Sequence, residues 1–433
     1  MTTKNKILFF VSSAALLVSI SLLHFLSLIA IISYTTIFIL SSAIYLFISW
    51  YIFKNEVRTK DVYLLIFFTL LLRLSFISTT PIGSDDVYRY MWDGKIQSNG
   101  INPYLYTPID EHLNSFHSDL LPAALNFKEM KTIYFPLSQW LFYTGYKLSG
   151  ESVWGYKLLL FLFEMLTLAA IFLLTRKMKI DLKYSLLYAL CPLSIFQFGI
   201  DAHLDGFGLP ILLFSLYFYL DNKKILSAIF LGLSLSIKPV GLVIIPIFFL
   251  NEKNISDKMK IAVIPFIAFF VQFIPYIATT NPFEAFFIFT KNWYFNGFVF
   301  NIVNAIFSNN QTSRLICGIL LVISLLPLYY SKKALIEKIY FALMLLMIFS
   351  PVVHPWYIAW IAILLPITKM RSGVYFIAAS SLTAFTILNY QLYGIWKDYW
   401  LVMIIEYVPL LFLFFFEMTK DFSFKKILPS SKI

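Results

Sequence analysis

Apolar runs long enough to cross a bilayer recur along the whole chain, separated by short polar connections. They cover roughly residues 7–29, 35–53, 61–79, 153–175, 183–199, 206–220, 260–279, 313–330, 334–350, 355–369, 372–393 and 397–417. A helix needs about 20 apolar residues to span the hydrocarbon layer. The pattern therefore predicts an all-α polytopic membrane protein with about 12–14 transmembrane helices.

Two segments depart from this pattern. The apolar run 224–250 is interrupted by Lys238 and Pro239, where proline removes a backbone donor and lysine places a charge at hydrocarbon depth. We predict two short helices, 224–237 and 240–250, whose junction points to a cavity near the outer side. The amphipathic stretch 134–149 is short for a span and is predicted to lie along the outer interface as a juxtamembrane helix.

Composition agrees with a membrane protein, because 60% of the residues are hydrophobic, only 13% are charged and the mean hydropathy is +0.78. The first apolar run follows Lys4 and Lys6 like a signal peptide, but it is too long and lacks a small-residue cleavage pattern. We expect it to be retained as a helix. Cys191 and Cys317 lie far apart in apolar runs and predict packing rather than a disulfide or a metal site.

The net charge of +11 follows from topology. With the N-terminus inside, 23 of the 34 Lys and Arg residues fall on inner connections and eleven do not, as the positive-inside rule requires. No nucleic-acid partner is therefore expected. Both termini are predicted to be cytoplasmic, and 80–135, 200–205, 280–312, 351–354 and 394–396 are predicted to lie outside. Short inner connections and the lack of a glycine-rich phosphate loop argue against an ATP-driven pump.

The outer loop 80–135 holds the densest polar cluster. Asp85 and Asp86 are adjacent carboxylates directly after a membrane helix, and their repulsion near low dielectric favours a raised pKa suited to proton abstraction. Arg89 follows one helical turn later, where it can pair with a carboxylate or hold a phosphate. The alternative is a solvated helix start with Asp85 or Asp86 as the N-cap.

Two more outer connections carry polar and aromatic groups. Asp201, His203 and Asp205 form an Asp-x-His-x-Asp string that can ligate a metal if the side chains converge, and cap helices if they do not. Trp356 and Tyr357 follow His354 at a helix start. They fit either an aromatic belt at the membrane interface or a wall that stacks on a sugar ring.

Arg73 and Lys238 are cations at membrane depth and need a partner or water. The stretch 291–296 repeats the mixture of cationic, amide and aromatic groups. Acids, anion binders and aromatic rings on one membrane face together suggest a phosphate leaving group and a polyol substrate.

The residues 85–94 and 100–104 carry a resemblance to a known family. Together with Phe135-Pro136-Leu137, His203-Leu204-Asp205-Gly206, Lys238-Pro239 and His354-Pro355-Trp356-Tyr357, they resemble the GT-C superfamily of polyprenyl-phosphate-sugar-dependent glycosyltransferases, and more closely its bacterial mannosyltransferase-like membrane proteins. The resemblance covers about residues 61–400. It implies a GT-C-like core whose large first outer loop contains juxtamembrane helices. The chain then divides into two N-terminal helices (1–60), a catalytic core (61–280) and a C-terminal part (281–433).

The resemblance implies an inverting transfer of a sugar, mannose by likeness, from a polyprenyl-phosphate donor on the extracytoplasmic face. Asp85 or Asp86 would be the general base, and Asp86 is preferred because it adjoins the Val-Tyr-Arg-Tyr string. The donor phosphate would be bound by Arg89, Lys238, His203 and His354. Substrate contacts would come from Tyr88, Trp92, Asp93, Asn102, Tyr104, Asp205, Trp356 and Tyr357.

No cofactor is required on this hypothesis, because a lipid phosphate clamped by cations leaves readily, while a divalent metal stays an alternative. The expected partners are a polyprenyl-phosphate-linked sugar donor, a lipid, glycan or protein acceptor, and the lipids of a bacterial inner or plasma membrane. A transporter or flippase of lipid-linked saccharides is the alternative function, and a non-catalytic assembly factor is a third. Fold-level likeness leaves the sugar, the acceptor and the oligomeric state open.

Overall fold

The computed structural model describes residues 3–26 and 30–420, which are mostly helical (74% helix) and form no strand. The helices are α1 Thr3–Ser21, α2 Ala30–Lys54, α3 Thr59–Ser75, α4 Asp86–Ser98, α5 Pro136–Ser149, α6 Trp154–Lys177, α7 Leu186–Ala189, α8 Pro192–Ser194, α9 Asp205–Leu220, α10 Lys224–Leu235, α11 Ile245–Asn251, α12 Ile255–Phe270, α13 Glu284–Asn292, α14 Phe298–Phe307, α15 Asn310–Tyr330, α16 Leu335–Phe349, α17 Pro355–Ala362, α18 Leu365–Thr368, α19 Arg371–Ala379, α20 Ala384–Tyr393 and α21 Trp400–Thr419.

Six helical stretches within the described ranges are long and apolar enough to span a membrane. They are Asn5–His24, Ala30–Lys54, Trp154–Lys177, Asn310–Tyr330, Arg371–Tyr393 and Trp400–Thr419. The prediction of an all-α polytopic membrane protein is thereby confirmed. The other predicted spans are shorter or broken, often where a proline begins a new helix, because proline fits a first turn but not a helix interior. The end of the first predicted helix at 27–29 and the basic residues after 420 lie outside the described residues.

The predicted span 183–199 is a chain of short pieces rather than one helix. A 3₁₀ turn, Leu182–Ser185, leads into α7 and α8, and the run ends in a π-helical turn, Ile195–Ile200. Turns of this wide type are rare and often mark functional sites. The π turn places Asp201 and His203 beside the loop that precedes α4.

The predicted break at Lys238 is confirmed. α10 ends at Leu235, Lys238 is extended with φ −152° and ψ 135°, and Pro239–Val243 forms a 3₁₀ turn before α11. The stretch 134–149 also forms the predicted helix, as α5, and its position along the membrane interface stays a prediction. The segment 280–312 had been predicted only as an outer loop, whereas it contains the two short helices α13 and α14.

Charged groups buried between the long helices are paired. The Arg73 guanidinium donates to Glu164 at 3.2 Å and to the Ser194 hydroxyl at 2.7 Å. The Lys157 ammonium donates to the Thr79 carbonyl at 2.6 Å, just beyond the end of α3. The expectation that Arg73 requires a partner is confirmed, and these contacts fix α3 and α6 against each other beneath the outer loop.

The large outer loop is anchored by a close packing of α4 on α5. Gly94 of α4 lies so near α5 that a Cβ there would be 2.3 Å from the Phe142 carbonyl oxygen. A glycine is therefore required for the two helices to approach. The next residue, Lys95, pairs at 2.5 Å with Glu151, which follows α5. These contacts between α4 and the α5 region hold the outer loop in one conformation.

Glu164→Leu should lower the free energy of unfolding by about 3–5 kcal/mol, because it leaves the Arg73 charge buried without its partner. Arg73→Met combined with Glu164→Leu should recover most of that loss. Thermal unfolding of the detergent-solubilised variants measures both. If the double variant is no more stable than the single one, the ion pair is not what couples α3 to α6.

Candidate active site

A cavity of about 800 Å³ opens between the outer loop and the ends of several helices. Its wall draws on the segments 81–90, 126–135, 204–205, 237–239, 286–295, 354–357 and 387–396. Nine of the residues predicted for the site line it, namely Asp85, Asp86, Tyr88, Arg89, Asp205, Lys238, His354, Trp356 and Tyr357. The structure therefore brings together residues that are up to 272 positions apart, from Asp85 to Tyr357.

Asp85 and Asp86 stand at the start of α4 inside this cavity. Asp85 occupies the N-cap position, yet its side chain makes no capping hydrogen bond and accepts one from the Asn126 amide instead. Burial first, and then the neighbouring Asp86 charge, raise the pKa of Asp85 to about 6. The Asp85 side chain therefore does not cap α4.

Asp86 contacts a different group. Its Oδ2 lies 3.4 Å from Nδ1 of His203, a buried imidazole behind the cavity wall. The Asp86 charge also lies close enough to Lys238, Tyr134 and Tyr357 to act on each of them. Of the two carboxylates, Asp86 is therefore the one surrounded by the cationic and phenolic groups of the cavity.

Lys238 is held at the opposite wall by the break between α10 and the following 3₁₀ turn. Its ammonium is 2.9 and 3.0 Å from the two carboxylate oxygens of Asp205 and 3.1 Å from the centre of the Tyr357 ring. The Trp360 indole N–H also donates to Asp205, at 2.7 Å. Asp205 therefore serves as the counter-ion of Lys238, and the ammonium stands at the cavity surface.

Arg89 is oriented by a buried network. Its Nε donates to Asp93 at 2.9 Å, and one terminal nitrogen donates to the Met130 carbonyl at 3.0 Å. Asp93 also accepts from Thr132 at 2.6 Å and from Gln139 at 3.0 Å. The guanidinium is thus fixed with one edge against Asp93 while the residue lines the cavity.

Four aromatic rings form a column along one side of the cavity. Trp356 stacks on His203 at 3.6 Å and on His354 at 4.2 Å, and His354 stacks on Phe295 at 4.5 Å. Two rings this close and nearly parallel to Trp356 must occupy its opposite faces. Only the edge of Trp356 is therefore free to meet a ligand, so a sugar cannot stack on its face.

His354 and His203 differ in what they can offer a phosphate. Burial, followed by the nearby charges of Lys238 and His203, holds the pKa of His354 well below its usual value, so its imidazole is neutral at neutral pH. A neutral imidazole offers a hydrogen bond but no charge. His203 does not line the cavity and contacts Asp86 instead.

Four predicted substrate contacts lie away from the cavity. Trp92 is buried with its ring 5.6 Å from that of His117, and Asp93 faces Arg89. Asn102 donates to the Thr279 hydroxyl at 2.8 Å, and Tyr104 donates to a backbone carbonyl at 2.7 Å. Each of these side chains makes contacts that hold the outer loop in its conformation. The polar groups of Asp93, Asn102 and Tyr104, which suggested substrate binding, form hydrogen bonds within the protein instead.

The Asp201, His203 and Asp205 side chains do not converge. Asp201 accepts from the backbone of Gly83, His203 lies beside Asp86, and Asp205 pairs with Lys238. In the described ranges, no group of three or more His, Cys, Asp or Glu side chains is close enough to hold a metal ion. The expectation that no metal is required stays a prediction.

Sequence reasoning missed three residues at or behind the cavity. Asn126 bonds Asp85, Tyr134 lines the wall, and Tyr34 of α2 donates to Asp201. Asn126 and Tyr134 are inside the loop already singled out, but nothing in their spacing marks them. Tyr34 is separated from Asp201 by 167 positions, and no sequence signal links the two.

The helical membrane fold thus encloses a cavity lined by acids and cations. A family model described as alpha-(1->6)-mannopyranosyltransferase, N-terminal domain, matches residues 9–252, and one described as MptB C-terminal domain matches residues 304–415. The chain belongs to this mannosyltransferase family, and both the predicted resemblance and the predicted enzyme class are confirmed. No curated protein and no solved structure matches it significantly.

Asp85→Asn should stabilise the protein at neutral pH. The pKa of Asp85 is raised from 3.8 to about 6 in the folded state, so between these values the folded protein binds more protons than the unfolded chain and its stability falls as pH rises. At pH 7–8 the substitution should therefore add roughly 1–3 kcal/mol to the free energy of unfolding. Near pH 4 the variant and the native protein should unfold alike.

Thermal unfolding followed by tryptophan fluorescence across this pH range measures the difference. Asp110→Asn is the matched control, because Asp110 lies in the same loop and His112 holds its pKa below the usual value. The control should not be stabilised at neutral pH. A melting temperature of Asp85→Asn equal to or below that of the native protein at pH 7 would contradict a raised pKa at Asp85.

Proposed function

We propose that the protein transfers mannose from a polyprenyl-phosphate donor to an acceptor hydroxyl on the extracytoplasmic face, with inversion at the anomeric carbon. The observation that carries this proposal is the cavity itself. One wall presents the Asp86 carboxylate and another the Lys238 ammonium, with Arg89 between the outer loop and the helix ends. A base and an anion site that face one space are what displacement of a phosphate by a hydroxyl requires.

The placement on the extracytoplasmic face is supported by where the cavity residues fall in the sequence. Most lining residues lie in segments that the positive-inside rule assigns to the outer side, and the others lie at the Lys238 break or in the helix ends near those segments. The loop 80–135 alone supplies Asp85, Asp86 and Arg89. The donor is therefore expected in the outer leaflet, with its phosphate at the level of these helix ends.

Asp86 is the general base in this mechanism. The acceptor oxygen forms a bond to the anomeric carbon as its proton passes to the Asp86 carboxylate, and the bond from that carbon to the phosphate oxygen breaks. Polyprenyl phosphate leaves with the electron pair. His203 packs beside this carboxylate, with its Nδ1 3.4 Å from Oδ2 of Asp86. Asp85 is tied to Asn126 and supports the turn.

Negative charge grows on the phosphate as it leaves, and preorganised cations stabilise it there. Lys238 supplies an ammonium whose position is fixed by Asp205, and Arg89 supplies a guanidinium fixed by Asp93. His354 adds a neutral hydrogen-bonding group. These groups supply the charge that the departing phosphate needs, so the mechanism calls on no metal.

The aromatic end of the cavity accommodates the apolar part of the donor. Phe127, Phe286, Phe289 and Trp293 line this part of the cavity. Burial of isoprenoid carbon against such rings contributes about 25 cal/mol per Å² of apolar surface removed from water. The rings therefore favour a lipid-linked donor over a water-soluble sugar nucleotide.

The family description supplies the linkage that we carry over to this chain. An alpha-(1->6) product implies that the attacking group is the 6-hydroxyl of an acceptor sugar. Because displacement with inversion exchanges the anomeric configuration, an α product requires a β-linked mannosyl phosphate. The α-linked donor should accordingly give no product when β-linked and α-linked donors are compared in liposomes and the linkage is read by NMR. Equal use of both donors would contradict inversion.

Asp86→Asn should lower the rate of mannosyl transfer by roughly 10²–10⁴-fold, since the amide cannot take the acceptor proton. The measurement is transfer from polyprenyl-phosphate mannose by purified protein in liposomes. Asp110→Asn, in the same outer loop but outside the cavity, is the control and should keep native activity. If Asp86→Asn transfers mannose as fast as the control, Asp86 is not the base.

Lys238→Met should abolish transfer. Two effects contribute, and a second variant distinguishes them. The single substitution removes the phosphate-binding charge, and it leaves the buried Asp205 carboxylate unpaired, which costs about 3–5 kcal/mol of stability. Combining it with Asp205→Asn should restore the melting temperature but not the transfer. Activity that returns with stability in the double variant would assign Lys238 a structural role only.

A further inference from the structure

The Asp201 carboxylate is buried behind the cavity wall and has partners of its own. The residue is only 1% exposed and is absent from the cavity lining. It accepts hydrogen bonds from the Ile82 N–H at 3.1 Å, from the Gly83 N–H at 2.8 Å and from the Tyr34 hydroxyl. Asp201 thus joins α2, the turn after the π helix and the loop before α4.

The backbone that Asp201 holds leads directly into the proposed base. Gly83 is three residues before Asp86, and α4 begins at Asp86 itself. The two hydrogen bonds come from consecutive N–H groups and converge on the same oxygen, Oδ1, of the Asp201 carboxyl group. They fix the height and direction at which α4, and with it the Asp86 side chain, enters the cavity.

The same short segment contacts the loop at a second point. His203, two residues after Asp201, lies 3.4 Å from Asp86. Ala202 between them is left-handed, with φ +62°, a conformation that costs free energy for any residue with a Cβ. This turn allows Asp201 to reach the backbone while His203 reaches the side chain of the same loop.

Gly83 shows how tightly the loop is held. A Cβ at this position would be 2.6 Å from the Tyr34 ring and 2.7 Å from an Asp201 carboxylate oxygen. The glycine backbone is therefore pressed against both residues. No side chain fits between the loop and the Tyr34–Asp201 pair, so the loop cannot shift toward α2.

We propose that Asp201 is a positioning residue for catalysis, whose carboxylate, itself oriented by the Tyr34 hydroxyl, fixes loop 82–86 so that Asp86 meets the acceptor hydroxyl. The inference rests on the proposed function in that it takes Asp86 as the base. It also gives α2 a part in the reaction, because Tyr34 belongs to that helix. Asp201 touches neither the donor nor the acceptor.

The test separates positioning from folding by measuring kcat and KM apart. Asp201→Ala should lower kcat roughly 100-fold, as a misplacement of about 1 Å does, and leave KM for the donor nearly unchanged, since Lys238 and Arg89 are untouched. Asp201→Asn should recover part of kcat, because its amide oxygen can still accept from both N–H groups while its NH2 group replaces the oxygen that accepts from the Tyr34 hydroxyl. Tyr34→Phe should lower kcat roughly tenfold in the native background and have no further effect in Asp201→Ala.

Tyr188→Phe is the matched control, because Tyr188 is a buried tyrosine whose hydroxyl also donates to a buried carboxylate, that of Glu164. It does not touch the loop and should keep native kcat. If Asp201→Ala fails to fold, Asp201→Asn and Tyr34→Phe carry the measurement. Unchanged kcat in these variants, or a loss in Tyr188→Phe equal to that in Tyr34→Phe, would overturn the proposal.

A second readout does not depend on catalysis. Hydrogen exchange of the peptide around 80–86 should be faster in Asp201→Ala than in Tyr188→Phe, because the Ile82 and Gly83 amides lose their acceptor. Exchange that stays slow would overturn the proposal even if activity falls. An active Asp86→Asn would instead refute the proposed base, while faster exchange would still show that Asp201 holds the loop.

Discussion

Buried charge in this protein is tolerated because it is paired, and the site is built from such pairs. A charge in an apolar interior costs several kcal/mol unless an opposite charge or fixed dipoles replace its water. Each Lys and Arg residue that lines the cavity accordingly has a carboxylate partner: Asp205 for Lys238, Asp93 for Arg89 and Glu284 for Lys131. The carboxylate holds the cation in place before any substrate binds. On the proposed mechanism, the ion pair that stabilises the fold therefore also preorganises the cation for catalysis.

The membrane class, the helix break at Lys238 and the helix α5 were predictable, because they follow from long apolar runs, a proline beside a charge and one amphipathic period. The span 183–199 was not, because its pieces are as apolar as a continuous helix and a π turn leaves no mark in composition. The short helices α13 and α14 were missed for a related reason. Their aromatic residues resemble those of an interfacial loop.

The parts of the site whose reactive side chains are neighbours in sequence were predictable. The parts that depend on contacts between distant residues were not. The adjacent acids and the lysine before proline identified two walls of the cavity. Asp93 and Asn102 are polar residues in the same cluster, yet they hold the loop together, and sequence cannot distinguish such a role from binding. The contact between Asp201 and Tyr34 could not be predicted, because the two residues are 167 positions apart and only the fold brings them together.

The first family model ends at residue 252 and the second begins at residue 304. The helix α13 lies in the interval that neither model matches. That unmatched helix supplies Phe286 and Phe289 to the cavity, while the acids and cations belong to matched segments. On the proposed function, the reacting groups and part of the apolar lining therefore lie in different parts of the chain. A change in this interval would therefore alter the apolar lining of the cavity and leave its acids and cations in place.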